Sequence, residues 1–164
     1  MIKITLPDGT IKEFTKNSTP MDVAKSISEG FARNVISANF NDITVETTTA
    51  LTTDGSLILY TFNDAGGKKA FWHSSAHVLA EAILSFYPKA KLTIGPAIDA
   101  GFYYDVDLGA DVISDKDFKQ IETKFLEIAR GKHEFSIRSV SKAAALSLYK
   151  EENNEYKVEL IEWR

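Results

Sequence analysis

Ile2-Lys-Ile-Thr-Leu-Pro-Asp-Gly-Thr-Ile-Lys-Glu-Phe14, followed by Thr19-Pro-Met-Asp-Val-Ala24, is the stretch that decides the fold of the first part of the chain. Ile2, Ile4 and Leu6 alternate with polar residues, and Asp8-Gly9 then turns the chain into a second short apolar run, which predicts a β-hairpin. Ile11 and Phe14 break strict alternation, so either a bulge or an exposed Ile11 is expected. Thr19 is a helix cap, Pro20 suits the first helical position, and Asp22 stands where a capping box places an acid. Val23, Ala24 and Ile27 line one helical face, and Gly30 is the expected stop. Residues 34–45 read as two more strands turning at Asn41-Asp42, and a last strand follows Asp54-Gly55. The order ββαβ(β)β within residues 1–63 predicts a small sheet grasping one helix, an α+β layer arrangement.

Asn63-Asp-Ala-Gly-Gly67 reads as a linker by composition. A helix is predicted over 71–87 and stopped by Pro88. Trp72, Ala76, Leu79, Ile83 and Phe86 form its apolar stripe, with His73, His77, Ala80 and Leu84 beside it. Turns and short strands follow over 92–107. A helix opens at Ser114 with Asp117 three residues on, and Phe118, Ile121, Phe125 and Ile128 form its core stripe ahead of Gly131. A strand is expected at 135–140, a helix at 141–150 and a closing strand at 156–164. That last segment stops without a turn, a cap or a polar tail, which predicts that the protein continues in nature.

The 164 residues are ordinary globular material, with 44% hydrophobic and 26% charged side chains. With no cysteine, the sequence excludes a disulfide scaffold and thiolate-bound zinc or iron–sulfur centres within these residues. No apolar run approaches the roughly 20 residues of a membrane span, and the N-terminus carries no secretory pattern, so a cytoplasmic setting without membrane contact is expected. Net charge is −4, shared equally between residues 1–63 and 64–164. Neither part is a polybasic nucleic-acid module.

Three groups of residues carry candidate chemistry. His73-Ser-Ser-Ala-His77 puts two imidazoles on one helix face, one turn apart. Such a pair can hold a metal, or orient a water and move its proton near neutral pH. The same spacing also arises where two histidines simply satisfy each other's hydrogen bonds on a surface. Ser74, in place of glutamate, excludes the zinc-protease pattern. Gly95-Pro-Ala-Ile-Asp-Ala-Gly-Phe-Tyr-Tyr-Asp105 offers close backbone approach at Gly95 and an aromatic wall that includes Tyr104. Taken alone, it reads more readily as a tight turn before a half-buried aromatic strand. Lys157, on the expected last strand, points away from Tyr156 and Val158 and is by default solvated. His133 looks like an exposed residue after a helix end and is given no role.

His73-Ser-Ser-Ala-His77-Val-Leu, Ile94-Gly-Pro-Ala-Ile-Asp-Ala-Gly-Phe-Tyr-Tyr-Asp-Val-Asp107 and Tyr156-Lys-Val-Glu-Leu, with Ile4-Thr-Leu-Pro-Asp-Gly9 ahead of them, resemble the N-terminal region of the bacterial threonyl-tRNA synthetase family. The likeness covers essentially the whole chain. Residues 1–63 resemble its TGS domain, a ubiquitin-like β-grasp module, and 64–164 the first part of its editing domain. The resemblance implies a parent ligase that attaches threonine to tRNA(Thr) with ATP, magnesium and zinc. Those cofactors belong to a catalytic domain outside this chain, which is also the expected homodimer interface. It implies that this region proofreads by hydrolysing seryl-tRNA(Thr), with no cofactor of its own; the net charge of −4 and the lack of a basic tract predict that the fragment binds tRNA weakly. His73 and His77 would line the editing pocket, Lys157 and Tyr104 would lie at the ester, and Gly95 would stand where a side chain crowds the pocket.

Three departures stand out. The family's Cys-x-Gly-Pro-His segment is not in this sequence, which implies an incomplete and inactive site in the fragment alone. Trp72 stands where a basic residue is expected, and Asn41-Asp42 replaces the usual Asn-Gly turn. The alternative reading is an RNA- or protein-binding module without chemistry.

Overall fold

The computed structural model describes residues 1–131, 133, 135 and 138–163. It divides into two compact units, residues 1–72 and 73–164, and the division falls between Trp72 and His73.

The first unit opens with the expected hairpin. Strands β1 (Ile2–Thr5) and β2 (Ile11–Phe14) pair antiparallel in unbroken register, Ile2 facing Phe14 and Thr5 facing Ile11. No bulge forms, and Ile11 is instead 62% exposed. Helix α1 (Pro20–Ile27) starts on the predicted capping box. The Thr19 hydroxyl accepts the Asp22 N–H at 3.2 Å, and the Asp22 carboxylate accepts the Thr19 N–H at 2.8 Å. The helix does not run to Gly30. Ser28 turns extended after Ile27 and caps a separate short helix, α2 (Glu29–Ala32), accepting the Phe31 N–H at 3.0 Å. Val23 and Ala24 are fully buried, whereas Ile27 is largely exposed.

Strands β3 (Val35–Phe40) and β4 (Ile43–Val45) turn at Asn41 and Asp42, both left-handed at φ 49° and 64°. That is the backbone a two-residue hairpin loop requires, and Asn and Asp tolerate it. Strand β5 (Gly55–Thr61) enters between β1 and β3, parallel to the first and antiparallel to the second. The sheet order is therefore β2-β1-β5-β3-β4. Ile2, Ile4, Leu6, Val23, Ala38, Leu51 and Leu57 form the core between sheet and helix.

The segment expected to be a linker is a helix start. Helix α3 runs from Ala65 to Phe86, so Gly66 and Gly67 lie in its first turn. The Asp64 carboxylate accepts both the Thr61 N–H at 2.7 Å and the Thr61 hydroxyl at 2.9 Å. A Cβ on Gly67 would sit 1.8 Å from the Thr61 carbonyl oxygen. The glycine is needed there because backbone meets backbone, not to supply flexibility.

In the second unit, the remainder of α3 packs Ala82 and Ile83 against Ile121 of helix α4 (Asp115–Arg130). Ser114 and Asp117 form the predicted box at the start of α4, while Phe118 is 52% exposed and leaves its expected stripe. Four two-residue strands lie between these helices: β6 (Lys91–Leu92), β7 (Ala97–Ile98), β8 (Gly101–Phe102) and β9 (Val106–Asp107). β6 pairs with β9, and β7 with β8. Helix α5 (Lys142–Glu151) is as expected. Of the strand expected at 135–140, Ser136 and Ile137 lie outside the described residues, and 135 and 138–140 are not in a strand. The last segment is not a strand. It is helix α6 (Glu155–Glu162), capped by the Asn154 side chain, which accepts the Lys157 N–H at 3.2 Å. Val158 and Ile161 are half-buried at helical spacing.

Two substitutions test this account by urea unfolding. Leu57→Ala removes a fully buried side chain and is expected to destabilise the first unit by about 2–5 kcal/mol. Gly67→Ala is expected to destabilise it too, although alanine gains about 1 kcal/mol of helix propensity. A neutral or stabilising Gly67→Ala would show that α3 does not start against Thr61.

Candidate functional site

The four-residue step along α3 brings the two histidines together. Their Nε2 atoms are 3.2 Å apart, and the ring planes meet nearly edge-on with centroids 4.7 Å apart. One ring must donate its Nε2 proton and the other accept it. The pair therefore shares one proton between the rings. One added proton makes one ring an imidazolium that still donates to its neutral partner, whereas protonation of both rings would remove the acceptor and set two cations one helical turn apart.

His77 is held below the ordinary imidazole value of 6.5, first because neighbouring protein withdraws water from its ring, then because His73 and the Lys157 ammonium repel a positive charge there. The residue as a whole remains exposed. Partial desolvation of the ring and access from solvent coexist, as a proton acceptor requires. The Phe135 ring flanks it at a centroid distance of 6.4 Å.

Lys157 is not the solvated strand residue its neighbours predict. It occupies the first turn of α6 and is half-buried, and burial holds its ammonium below the usual lysine value. Among the described residues no carboxylate forms an ion pair with it.

Gly95 and Tyr104 form a second contact. A Cβ on Gly95 would lie 2.3 Å from the Tyr104 ring, so the ring rests directly on the glycine backbone. Flanking backbone bonds hold the two segments together: the Thr93 N–H reaches the Asp105 carbonyl at 3.1 Å, and the Asp105 N–H reaches the Ile94 carbonyl at 2.9 Å. Burial, then the nearby Tyr149 phenol, raises Tyr104 above the ordinary phenol value, so its hydroxyl stays protonated at neutral pH. No hydrogen bond or ion pair among the described residues links this contact directly to the histidine pair.

Asn154, Glu155, Tyr156, Lys91 and Asp107 escape sequence reasoning, yet their bonds tie the first turn of α6, which carries Lys157, to the β6–β9 pair. Their bonds run between the end of the chain and residues about fifty to sixty positions earlier. The one local signal is Asn154 ahead of Glu155, a helix-start pattern. His133 is exposed, as expected for a residue just past a helix end. A shallow concavity between Phe86 and the Lys116-to-Glu127 face of α4 shares no residue with the candidate site. Among the described residues there is no group of three or more His, Cys, Asp or Glu arranged to hold a metal, and no helix long and apolar enough to cross a membrane.

Gly95→Ala is expected to displace the Tyr104 ring and destabilise the second unit by about 1–3 kcal/mol, the usual range for overpacking. Tyr104→Ala in the same chain should recover most of that loss. Chemical denaturation of the two single variants and the double variant measures the coupling, and additive effects would separate the two residues.

The comparisons with known proteins agree with this architecture. Residues 2–61 match the TGS domain family. Over 161 residues, 98% of the chain, the sequence is 68% identical to a threonine–tRNA ligase of Flavobacterium psychrophilum and 66% identical to that of Flavobacterium johnsoniae, covering 24% of each. It is 47% identical to the threonine–tRNA ligase of Clostridioides difficile, covering 25% of it. The chain thus spans about a quarter of the length of the curated relatives it matches. Residues 2–61 thus carry a five-stranded sheet with a helix that matches the TGS domain family, and the chain as a whole is similar to the threonine–tRNA ligases over that quarter of their length.

Proposed function

We propose that residues 64–164 supply one side of a proofreading site that hydrolyses seryl-tRNA(Thr), within a protein that ligates threonine to tRNA(Thr). The observation that carries this reading is the His73–His77 pair, with Nε2 atoms 3.2 Å apart and His77 disposed to remain neutral at pH 7. Serine is smaller than threonine, so a synthetic pocket cannot exclude it by size, and a second hydrolytic site is the remedy.

In this reading a water sits against His77. As its oxygen attacks the seryl ester carbonyl, a proton passes to the neutral imidazole, and the pair of rings spreads the charge. The bond between the carbonyl carbon and the ribose oxygen then breaks. The proton is returned to that oxygen, and the products are serine and the free tRNA 3′ end. The Lys157 ammonium stabilises negative charge on the carbonyl and departing oxygens, as oriented cations do in a partly dry site. The Tyr104 hydroxyl donates a hydrogen bond, and Gly95, lacking a side chain, lets the Tyr104 ring sit against its backbone. The proton moves through side chains of this chain alone. Activation of threonine with ATP, magnesium and zinc, and the homodimer contact, are assigned to the length of the relatives that this chain does not span.

The other face of the pocket is assigned to the family's Cys-x-Gly-Pro-His segment. With one face only, the ester is not held in a reactive geometry, and a small misplacement costs about a hundredfold in rate. Weak tRNA binding is expected too, because the chain carries a net charge of −4 and phosphate contacts supply most non-specific affinity.

Deacylation of seryl-tRNA(Thr) by this chain is to be compared with a longer chain that includes the Cys-x-Gly-Pro-His segment. The longer chain is expected to hydrolyse the ester, with this one at least about a hundredfold slower. In the longer chain His73→Ala and Lys157→Met should each lower the rate by about 10²–10⁴. Equal rates from both chains would contradict the shared pocket. Full hydrolysis by both His73→Ala and Lys157→Met would place the chemistry outside residues 64–164 and leave these as a binding module.

A further inference from the structure

Lys157 stands where an ammonium is disfavoured on three counts. It is half-buried, it forms no ion pair with a described carboxylate, and it lies in the first turn of a helix, where the backbone dipole presents its positive end. A lysine left to itself would swing its flexible stem into water. Something other than electrostatics keeps it in place.

The three residues ahead of it supply the restraint. The Asn154 side-chain amide donates to the Leu92 carbonyl at 3.1 Å. Glu155 pairs with the Lys91 ammonium, with N–O distances of 2.6 and 2.7 Å. The Tyr156 hydroxyl donates to the Asp107 carboxylate at 2.7 Å. Lys91 and Asp107 face each other across the β6–β9 pair, and Leu92 follows on the same strand. Three consecutive side chains therefore grip one two-stranded ribbon. Asn154 does double duty, since its carbonyl oxygen also accepts the Lys157 N–H at 3.2 Å. The Asp107 carboxylate is itself oriented by the Gly109 N–H at 2.8 Å. The ribbon continues into the Thr93-to-Gly95 segment that lies against Tyr104 and Asp105.

We propose that Asn154 is a positioning residue which, with Glu155 and Tyr156, pins the first turn of α6 to the β6–β9 ribbon and thereby holds the Lys157 ammonium in place. Pinning and capping are separable functions of Asn154: its oxygen caps the helix, and its nitrogen ties that helix to Leu92. The catalytic meaning of this placement rests on the reading of Lys157 given above, but the placement itself does not.

The test reads the charge of Lys157 through the His77 ring, by NMR titration of the histidines in the 164-residue chain. Among the described residues, His73 and Lys157 are the titratable groups that act on His77. Lys157→Met removes a nearby cation, so His77 should titrate at higher pH than in the unaltered chain. Asn154→Ala should raise it by at least half as much. Asn154→Ser keeps a good helix cap but cannot reach Leu92, so helix content by circular dichroism should be preserved while His77 still shifts upward. Tyr156→Phe should produce a smaller rise, and it carries the test with Asn154→Ser if Asn154→Ala fails to fold.

Two results would overturn the proposal: a His77 titration unmoved by Lys157→Met, or full retention of the native value by Asn154→Ser. If the titrations move as expected while the longer chain fails to hydrolyse seryl-tRNA(Thr), the pinning stands and the hydrolytic reading falls.

Discussion

The contact at 3.2 Å between the Nε2 atoms of His73 and His77 exists because residues 73–77 form a turn of helix α3. A four-residue step on a helix stacks side chains on one face, whereas on a strand it would separate them by more than 10 Å. The chemistry assigned to the site depends on that step. Paired rings share a proton that a lone ring could only exchange with water. His77 is biased toward its neutral form by partial desolvation and by two neighbouring groups that carry positive charge when protonated. That bias follows from where α3 and α6 place three side chains, and it needs no further charged group.

The helix start is itself forced. Asp64 ties back to Thr61, and the chain can turn into α3 directly from β5 because Gly67 lets its backbone approach the Thr61 carbonyl. The second close approach, Gly95 on Tyr104, does comparable work within the second unit. Each glycine is defined by what would collide with its absent Cβ. Composition cannot convey that, since a glycine pair reads the same whether it is mobile or crowded. This is why residues 63–67 read as a linker and fold as a cap and a first turn.

Elements whose signals are local were legible. The boxes at Thr19–Asp22 and Ser114–Asp117 involve residues three apart, and both form. The Asn41-Asp42 turn follows from residues that tolerate positive φ. The β-grasp order was readable because each of its strands is bounded by a turn signal. The end of the chain was not legible. Tyr-Lys-Val-Glu-Leu alternates in character as a strand does, and the bonds that decide otherwise reach back to Lys91, Leu92 and Asp107. Lys157 was found through resemblance, but its half-buried place on a helix depends on those distant partners. The histidine pair was visible from spacing alone, whereas the Gly95–Tyr104 contact needed the turn between them to be folded.

The central claim is that neutral His77 takes the proton from water. It is tested most directly by the pH dependence of single-turnover deacylation in the longer chain, set against the NMR titration of His77 in that same chain. The rate should rise with pH along a single acidic limb whose midpoint matches the His77 titration and lies below 6.5, the ordinary imidazole value, with a plateau by about pH 7. Lys157→Met should move that limb and the titration upward together. A limb that departs from the His77 titration, or a rate independent of pH across it, would contradict the account.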